Sequence, residues 1–172
     1  MSTVGVAIDI PEPWGGQLTR RRAEAGDLVA EYVPAHLTLL GPTEVDPDRL
    51  DQVEDHLAKV AAASQPFRVL LRGTGTFRPV TEVVFVAVAA GIAECEQLAA
   101  AIRGTDVLQR EQRFPYHPHV TVAQQVPTAE LDAVFEDLAD FTAQFDVDGF
   151  TLFAHGPDGR WYPRRHFWLG RS

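Results

Sequence analysis

The sequence predicts one domain of mixed helix and strand, built as two related halves. Three observations carry this. A pattern of histidine, apolar residue, threonine, apolar residue occurs twice, as His36-Leu37-Thr38-Leu39 and His119-Val120-Thr121-Val122. Each copy is followed by a proline-marked turn and a segment with apolar residues at helical spacing. Each is preceded by an apolar, strand-like run and another helical segment.

In the first half, residues 4–10 read as a buried strand and residues 14–25 as a helix. The first His-x-Thr strand follows. In an extended strand the side chains at i and i+2 leave the same face. His36 and Thr38 therefore stand side by side, with Leu37 and Leu39 turned to a core. Asp46-Pro47 combines a capping side chain with a proline at a helix start. Leu50, Val53 and Leu57 then lie on one helix face. Phe67-Arg68-Val69-Leu70-Leu71 reads as a strand. Gly73-Thr74-Gly75-Thr76 continues it and opens no helix, so it is a bulge or bend and not a phosphate loop.

The halves join near residues 79–82. In the second half, residues 83–88 form a strand and residues 92–103 a helix, with Ile92, Cys95, Ala99 and Ile102 on one face. The second His-x-Thr strand follows. Pro127-Thr128 opens a helix that carries Leu131, Val134 and Leu138. Phe145-Asp146-Val147 is similar to the strand at Phe67, and each continues through glycine into a Thr- and Phe-bearing stretch. His155 precedes Gly156-Pro157-Asp158-Gly159, a strong turn signal, and reads as a loop residue. Residues 1–172 make a single domain, with lobes of approximately 1–80 and 81–172.

One His-x-Thr alone carries little information, and a lone histidine beside an apolar strand is more often structural. The second copy, with the same elements in the same order, changes that weighting. Two such pairs facing one cleft offer two imidazoles and two hydroxyls to a single substrate group. Histidine, with a pKa of about 6.5, gives or takes a proton near neutrality. That set suits acid–base chemistry on a phosphate.

These residues resemble the 2H phosphoesterases, named for two His-x-Thr/Ser motifs, and among them the LigT-like group of RNA 2′,3′-cyclic phosphodiesterases, also called 2′-5′ RNA ligases. Pro118-His119-Val120-Thr121-Val122-Ala123 is similar to the second family motif, and His36-Leu37-Thr38-Leu39-Leu40-Gly41 to the first. The resemblance spans nearly the whole chain. It implies a bilobal, pseudo-twofold α+β fold: two antiparallel sheets flank a central cleft, with helices outside. It implies chemistry without metal or other cofactor, with His36 as general acid and His119 as general base. Thr38 and Thr121 would bind the phosphate oxygens. The substrate would be an RNA terminus or a small cyclic nucleotide.

Just before the second motif, Arg113 is a candidate for a phosphate and Tyr116 for a base, or else Tyr116 packs with Phe114 in the core. His117 shares a strand face with His119, but no acidic or Cys partner stands at metal-ligand spacing and Pro118 interrupts pairing. His117 is therefore a substrate-contacting candidate, and no metal site is expected. His56 reads as solvated on its helix, and His166 as lacking a partner in the last strand.

A net charge of −9 argues against a broad nucleic-acid surface. It leaves room for an RNA end held in a small cleft. Arg20-Arg21-Arg22 reads as a solvated helix face. Arg164-Arg165, beside Trp161, Tyr162 and Trp168, reads as the edge of a terminal strand, with base stacking as the alternative. No apolar run is long enough to span a membrane. The single Cys95 excludes an internal disulfide and reads as a core thiol. A cytoplasmic monomer is expected. The leading alternative to an enzyme is a module that holds a nucleotide or RNA end in the same cleft without turnover.

Overall fold

In the computed structural model, residues 1–112 and 114–170 are described. The strands are β1 (Ser2–Asp9), β2 (His36–Val45), β3 (Phe67–Thr76), β4 (Val83–Ala90), β5 (His119–Gln124), β6 (Thr142–Val147), β7 (Gly149–His155) and β8 (Trp161–Trp168). The helices are α1 (Trp14–Glu24), α2 (Leu50–Ala62), α3 (Ile92–Ile102) and α4 (Thr128–Asp137). The strands form two four-stranded antiparallel sheets, in the orders β2-β1-β7-β8 and β5-β4-β3-β6. This is the expected α+β architecture.

The sheets are not the two halves of the chain. β3 belongs to the first half but pairs with β4 and β6, and β7 and β8 from the second half complete the sheet begun by β1 and β2. A further likeness takes a different form. The segment at Phe145 is the antiparallel neighbour of the segment at Phe67: Phe67 pairs with Val147 and Val69 with Phe145. Both alternate apolar residues because both pack on one core, and that alternation alone does not say which sheet a strand joins.

One apolar core runs through both sheets, from Val4, Val6 and Ile8 on β1 to Val84, Val86 and Val88 on β4. Each fully buried aliphatic side chain contributes about 1.5–3 kcal/mol. α4 packs on β3, β4 and β5. α1 touches β5 and α3 touches β2, so each motif strand is braced by a helix from the other half. At Gly73 (φ 71°) the β3–β4 register shifts between Leu71 and Thr74, the predicted bend. Cys95 is fully buried, and burial pushes its thiol up to about 12.

Four expectations change. Arg22 is buried and ion-paired to Asp27 at 2.7 Å, so the triple arginine is not one solvated face. His56 Nε2 lies 3.0 Å from the carbonyls of Ala101 and Ile102 and closes the end of α3, where carbonyls lack helical partners. His155 is the last residue of β7, its ring against Trp161. His166 has a partner: its Nδ1 lies 2.9 Å from Thr151 Oγ1, which in turn donates to Asp9 at 3.2 Å. Arg164 and Arg165 sit on the edge strand β8 as expected, paired with Glu54 of α2.

Candidate active site

β2 and β5 carry the two motifs and are built alike. Along both, the first five residues alternate half-buried His, buried aliphatic, half-buried Thr, then two buried residues. The two consecutive buried residues have a common cause. Ala7 pairs with Thr38 and Val6 with Leu40, so Leu39 is an extra residue in β2. Phe85 pairs with Thr121 and Val84 with Ala123, so Val122 is the extra residue in β5. Each strand thus bulges at the same place, directly after its threonine. A bulge bends the strand and ends the regular alternation. It leaves His and Thr on the cleft face while the next two residues stay in the core.

Each imidazole is anchored by its own chain. His36 Nδ1 lies 2.9 Å from the Pro34 carbonyl, and His119 Nδ1 lies 2.7 Å from the His117 carbonyl. A carbonyl only accepts, so both Nδ1 atoms carry the hydrogen and donate it. In the neutral rings Nε2 is then the free acceptor. Proline shapes both approaches: Pro34 supplies one carbonyl, and Pro118 holds His117 extended so that its carbonyl reaches the ring two residues on. The hydroxyls of Thr38 and Thr121 have no hydrogen-bond partner among the described residues.

The surroundings of the two rings differ. Asp9 stands opposite His36 across the β1–β2 ladder. His119 is enclosed by the edges of Phe77 and Phe85, at centroid distances of 5.0 and 5.3 Å. Burial lowers the pKa of both histidines below the usual value. At His36 the carbonyl of Pro34 opposes this, Arg22 adds to it and the Asp9 carboxylate opposes it. At His119 the His117 carbonyl opposes it, while the charges of His117 and His36 both lower it further. The charge of His36 thus bears on His119 from the other motif strand.

Other predicted residues fall differently. The Tyr116 ring packs on the core, and its hydroxyl donates to the Thr38 carbonyl at 2.7 Å. Burial, ahead of nearby acidic groups, pushes that phenol well above its ordinary value. Tyr116 therefore ties the approach to the second motif onto the first. His117 is exposed, its ring packed on Phe77 and Phe85. Arg113 lies outside the described residues.

Three features escaped the sequence reading. Phe77 and Phe85 wall His119; Phe77 follows the glycine-rich bend, whereas Phe85 reads only as one apolar residue of its strand. Arg110 lies against Gly41, where a Cβ would come within 2.4 Å of its Nη1 and the guanidinium would have to shift. Arg110 has no ion-pair partner among the described residues. Asp27 accepts from Arg22 and from the backbone of Gln124 at 3.0 Å, which pins the end of β5 to α1.

Two antiparallel sheets flanking a cleft, each bearing one His-x-Thr strand with a matching bulge, define the 2H phosphoesterase fold. The sequence profile of the 2′-5′ RNA ligase superfamily matches residues 10–159, and the chain belongs to that family. A protein of Oceanobacillus iheyensis named "Putative phosphoesterase OB1230" is 28% identical over 142 residues, 81% of this chain and 82% of that one. A similarly named protein of Bacillus cereus strain G9842 is also 28% identical, over 81% of both chains. Among solved structures, E. coli LigT complexed with 3′-AMP matches with a TM-score of 0.68 at 20% identity, over 99% of both chains. The Thermus thermophilus protein TT0787 matches with a TM-score of 0.67 at 25% identity over both full chains. No helix among the described residues is long and apolar enough to cross a membrane.

Proposed function

We propose that this phosphoesterase opens 2′,3′-cyclic phosphates of RNA ends or nucleotides to 2′-phosphates, with His36 as general acid and His119 as general base and no metal ion. The observation that carries this is the matched anchoring of the two rings. Each donates Nδ1–H to the carbonyl two residues before it, just ahead of its strand, and leaves Nε2 to the substrate.

Neutral His119 takes a proton from water at Nε2 as the water oxygen bonds to phosphorus. The bond from phosphorus to the 3′ oxygen breaks, and protonated His36 delivers the Nε2 proton to that oxygen. Thr38 and Thr121 donate to the non-bridging oxygens, where charge builds in the transition state. At His36 the Arg22 charge disfavours a proton and the Asp9 carboxylate, the smaller effect, favours one; at His119 the charges of His117 and His36 both disfavour one. Run in reverse, with the roles exchanged, His36 takes the proton of the 3′ hydroxyl as its oxygen bonds to phosphorus and His119 protonates the departing water, which closes the cyclic phosphate; a second strand's hydroxyl in place of that water would instead join the strands as the bond to the 3′ oxygen breaks.

The test is hydrolysis of a 2′,3′-cyclic mononucleotide and of a cyclic-phosphate-ended RNA in EDTA, with the product position resolved. A 2′-phosphate is expected, and His36→Ala and His119→Ala should each lower turnover by at least ~100-fold. Near-normal activity in either variant, or full loss of activity in EDTA, overturns the mechanism. Tight nucleotide binding with no product would identify a binding module instead.

A further inference from the structure

One polar row crosses the whole of the first sheet on its cleft face. Residues that pair across an antiparallel ladder share a face, as do residues at i and i+2. Asp9 pairs with His36, Ala7 with both Thr38 and Thr151, and Thr151 with His166. His36, Asp9, Thr151 and His166 therefore stand on one face, one from each of β2, β1, β7 and β8. Two small residues let them meet. Ala7, opposite Thr151, leaves Asp9 free to reach that hydroxyl along the diagonal. Gly149 leaves room for the His166 imidazole, since a Cβ there would come within 2.4 Å of its Nε2.

The hydrogen bonds along the row run one way. An ionised carboxylate only accepts, and a hydroxyl has one hydrogen. Thr151 gives that hydrogen to Asp9 Oδ2 at 3.2 Å, so its oxygen accepts from His166 Nδ1–H at 2.9 Å. Nδ1 keeps its hydrogen when the ring takes a second proton at Nε2, so the link survives the titration of His166. The His166 ring is held in turn by Trp168, edge to face at a centroid distance of 4.5 Å. Asp9 is exposed, whereas Thr151 is buried. Packing does little to fix an exposed carboxylate, and here a hydroxyl on a buried side chain does so instead. Directly opposite residues have Cβ atoms only about 4.5–5.5 Å apart. Where the Asp9 carboxylate is held therefore decides how strongly it acts on His36.

We propose that Thr151 and His166 are positioning residues for the general acid: together they hold the Asp9 carboxylate on the cleft face, where it favours the protonated form of His36. This rests on the reading of His36 as the general acid. Arg22 acts on His36 in the opposite sense. The other charged side chains around Asp9 are Asp146 and Asp148 on one side and Arg164 and Arg165 on the other. The variants below change none of them.

The test follows the His36 imidazole by NMR titration, without substrate, in the wild-type chain and in variants. Asp9→Asn should move its midpoint to lower pH. Thr151→Val keeps the shape and removes the hydroxyl, and it should reproduce most of that displacement. His166→Phe should move the midpoint in the same direction. Thr151→Ser restores the hydroxyl and should titrate like wild type. In the Asp9→Asn background Thr151→Val should add nothing, whereas a merely structural role would act with or without the carboxylate. An unmoved midpoint in Thr151→Val or in His166→Phe overturns the proposal, as does an equal shift in the Asp9→Asn background. Turnover does not enter this readout. A chain whose His36 responds in this way yet opens no cyclic phosphate overturns the proposed activity and leaves the link from His166 to His36 standing.

Discussion

The Tyr116 hydroxyl donates a 2.7 Å hydrogen bond to the backbone carbonyl of Thr38. It joins the segment leading into one motif to the middle of the other, across 78 residues of chain. The relative placement of His36 and His119 depends on how the two sheets meet, and this bond fixes a point of that meeting. Tyr116→Phe keeps the ring and removes the bond, leaving a carbonyl without its partner. It should cost about 1–2 kcal/mol of stability and lower kcat more than it raises KM, measured by thermal unfolding and steady-state kinetics.

Buried Asp27 and Arg22 tie α1 to the end of β5. Asp27→Ala leaves an uncompensated buried guanidinium and frees the Gln124 N–H. A loss of about 3–5 kcal/mol is expected, read by urea denaturation. A loss below about 1 kcal/mol would mean that water satisfies Arg22 and that the pair does not hold the strand.

The pH dependence of kcat/KM reports groups of the free enzyme. Burial lowers both histidines, and the charge of one opposes protonation of the other. The profile should be bell-shaped and centred on the acid side of about pH 6.5, with apparent pKa values that belong to the pair. Asp9→Asn removes the carboxylate opposite His36 and should move the basic limb further to the acid side. A limb that does not move would show that Asp9 does not act on His36.

Stability should follow the same groups. A histidine whose folded pKa lies below its unfolded value binds fewer protons in the native state. Stability is then full above the unfolded value of about 6.5 and falls as pH drops from there toward the folded value. Replacing both His36 and His119 with Asn should flatten the slope of unfolding free energy in that window. An unchanged slope would place its origin elsewhere.

The two-fold design was legible in the chain because strand and helix periodicity is local. Leu37 and Leu39 alternate with His36 and Thr38, and Leu50, Val53 and Leu57 recur at helical spacing, whatever the rest of the molecule does. The His-x-Thr repeat was legible because an i, i+2 pair shares a face in any strand. Local pattern also told that Gly73 bends β3 and that Cys95 is buried.

Partners distant in sequence were not legible. Alternation placed β3 and β6 in a core but could not show that β3 crosses to the second sheet or that β6 lies beside it. The burial of Arg22, the cap that His56 places on α3, and the Asp9–Thr151–His166 chain each depend on residues brought together only by folding. The same holds for Trp161, which reads as an edge aromatic until Gly5, far away in the chain, makes room for it. Which side chains share a strand or helix face can be read from the chain alone, because backbone geometry sets that within a few residues. Which faces meet emerges on folding, because sheet order and ring packing depend on contacts between residues far apart in the chain.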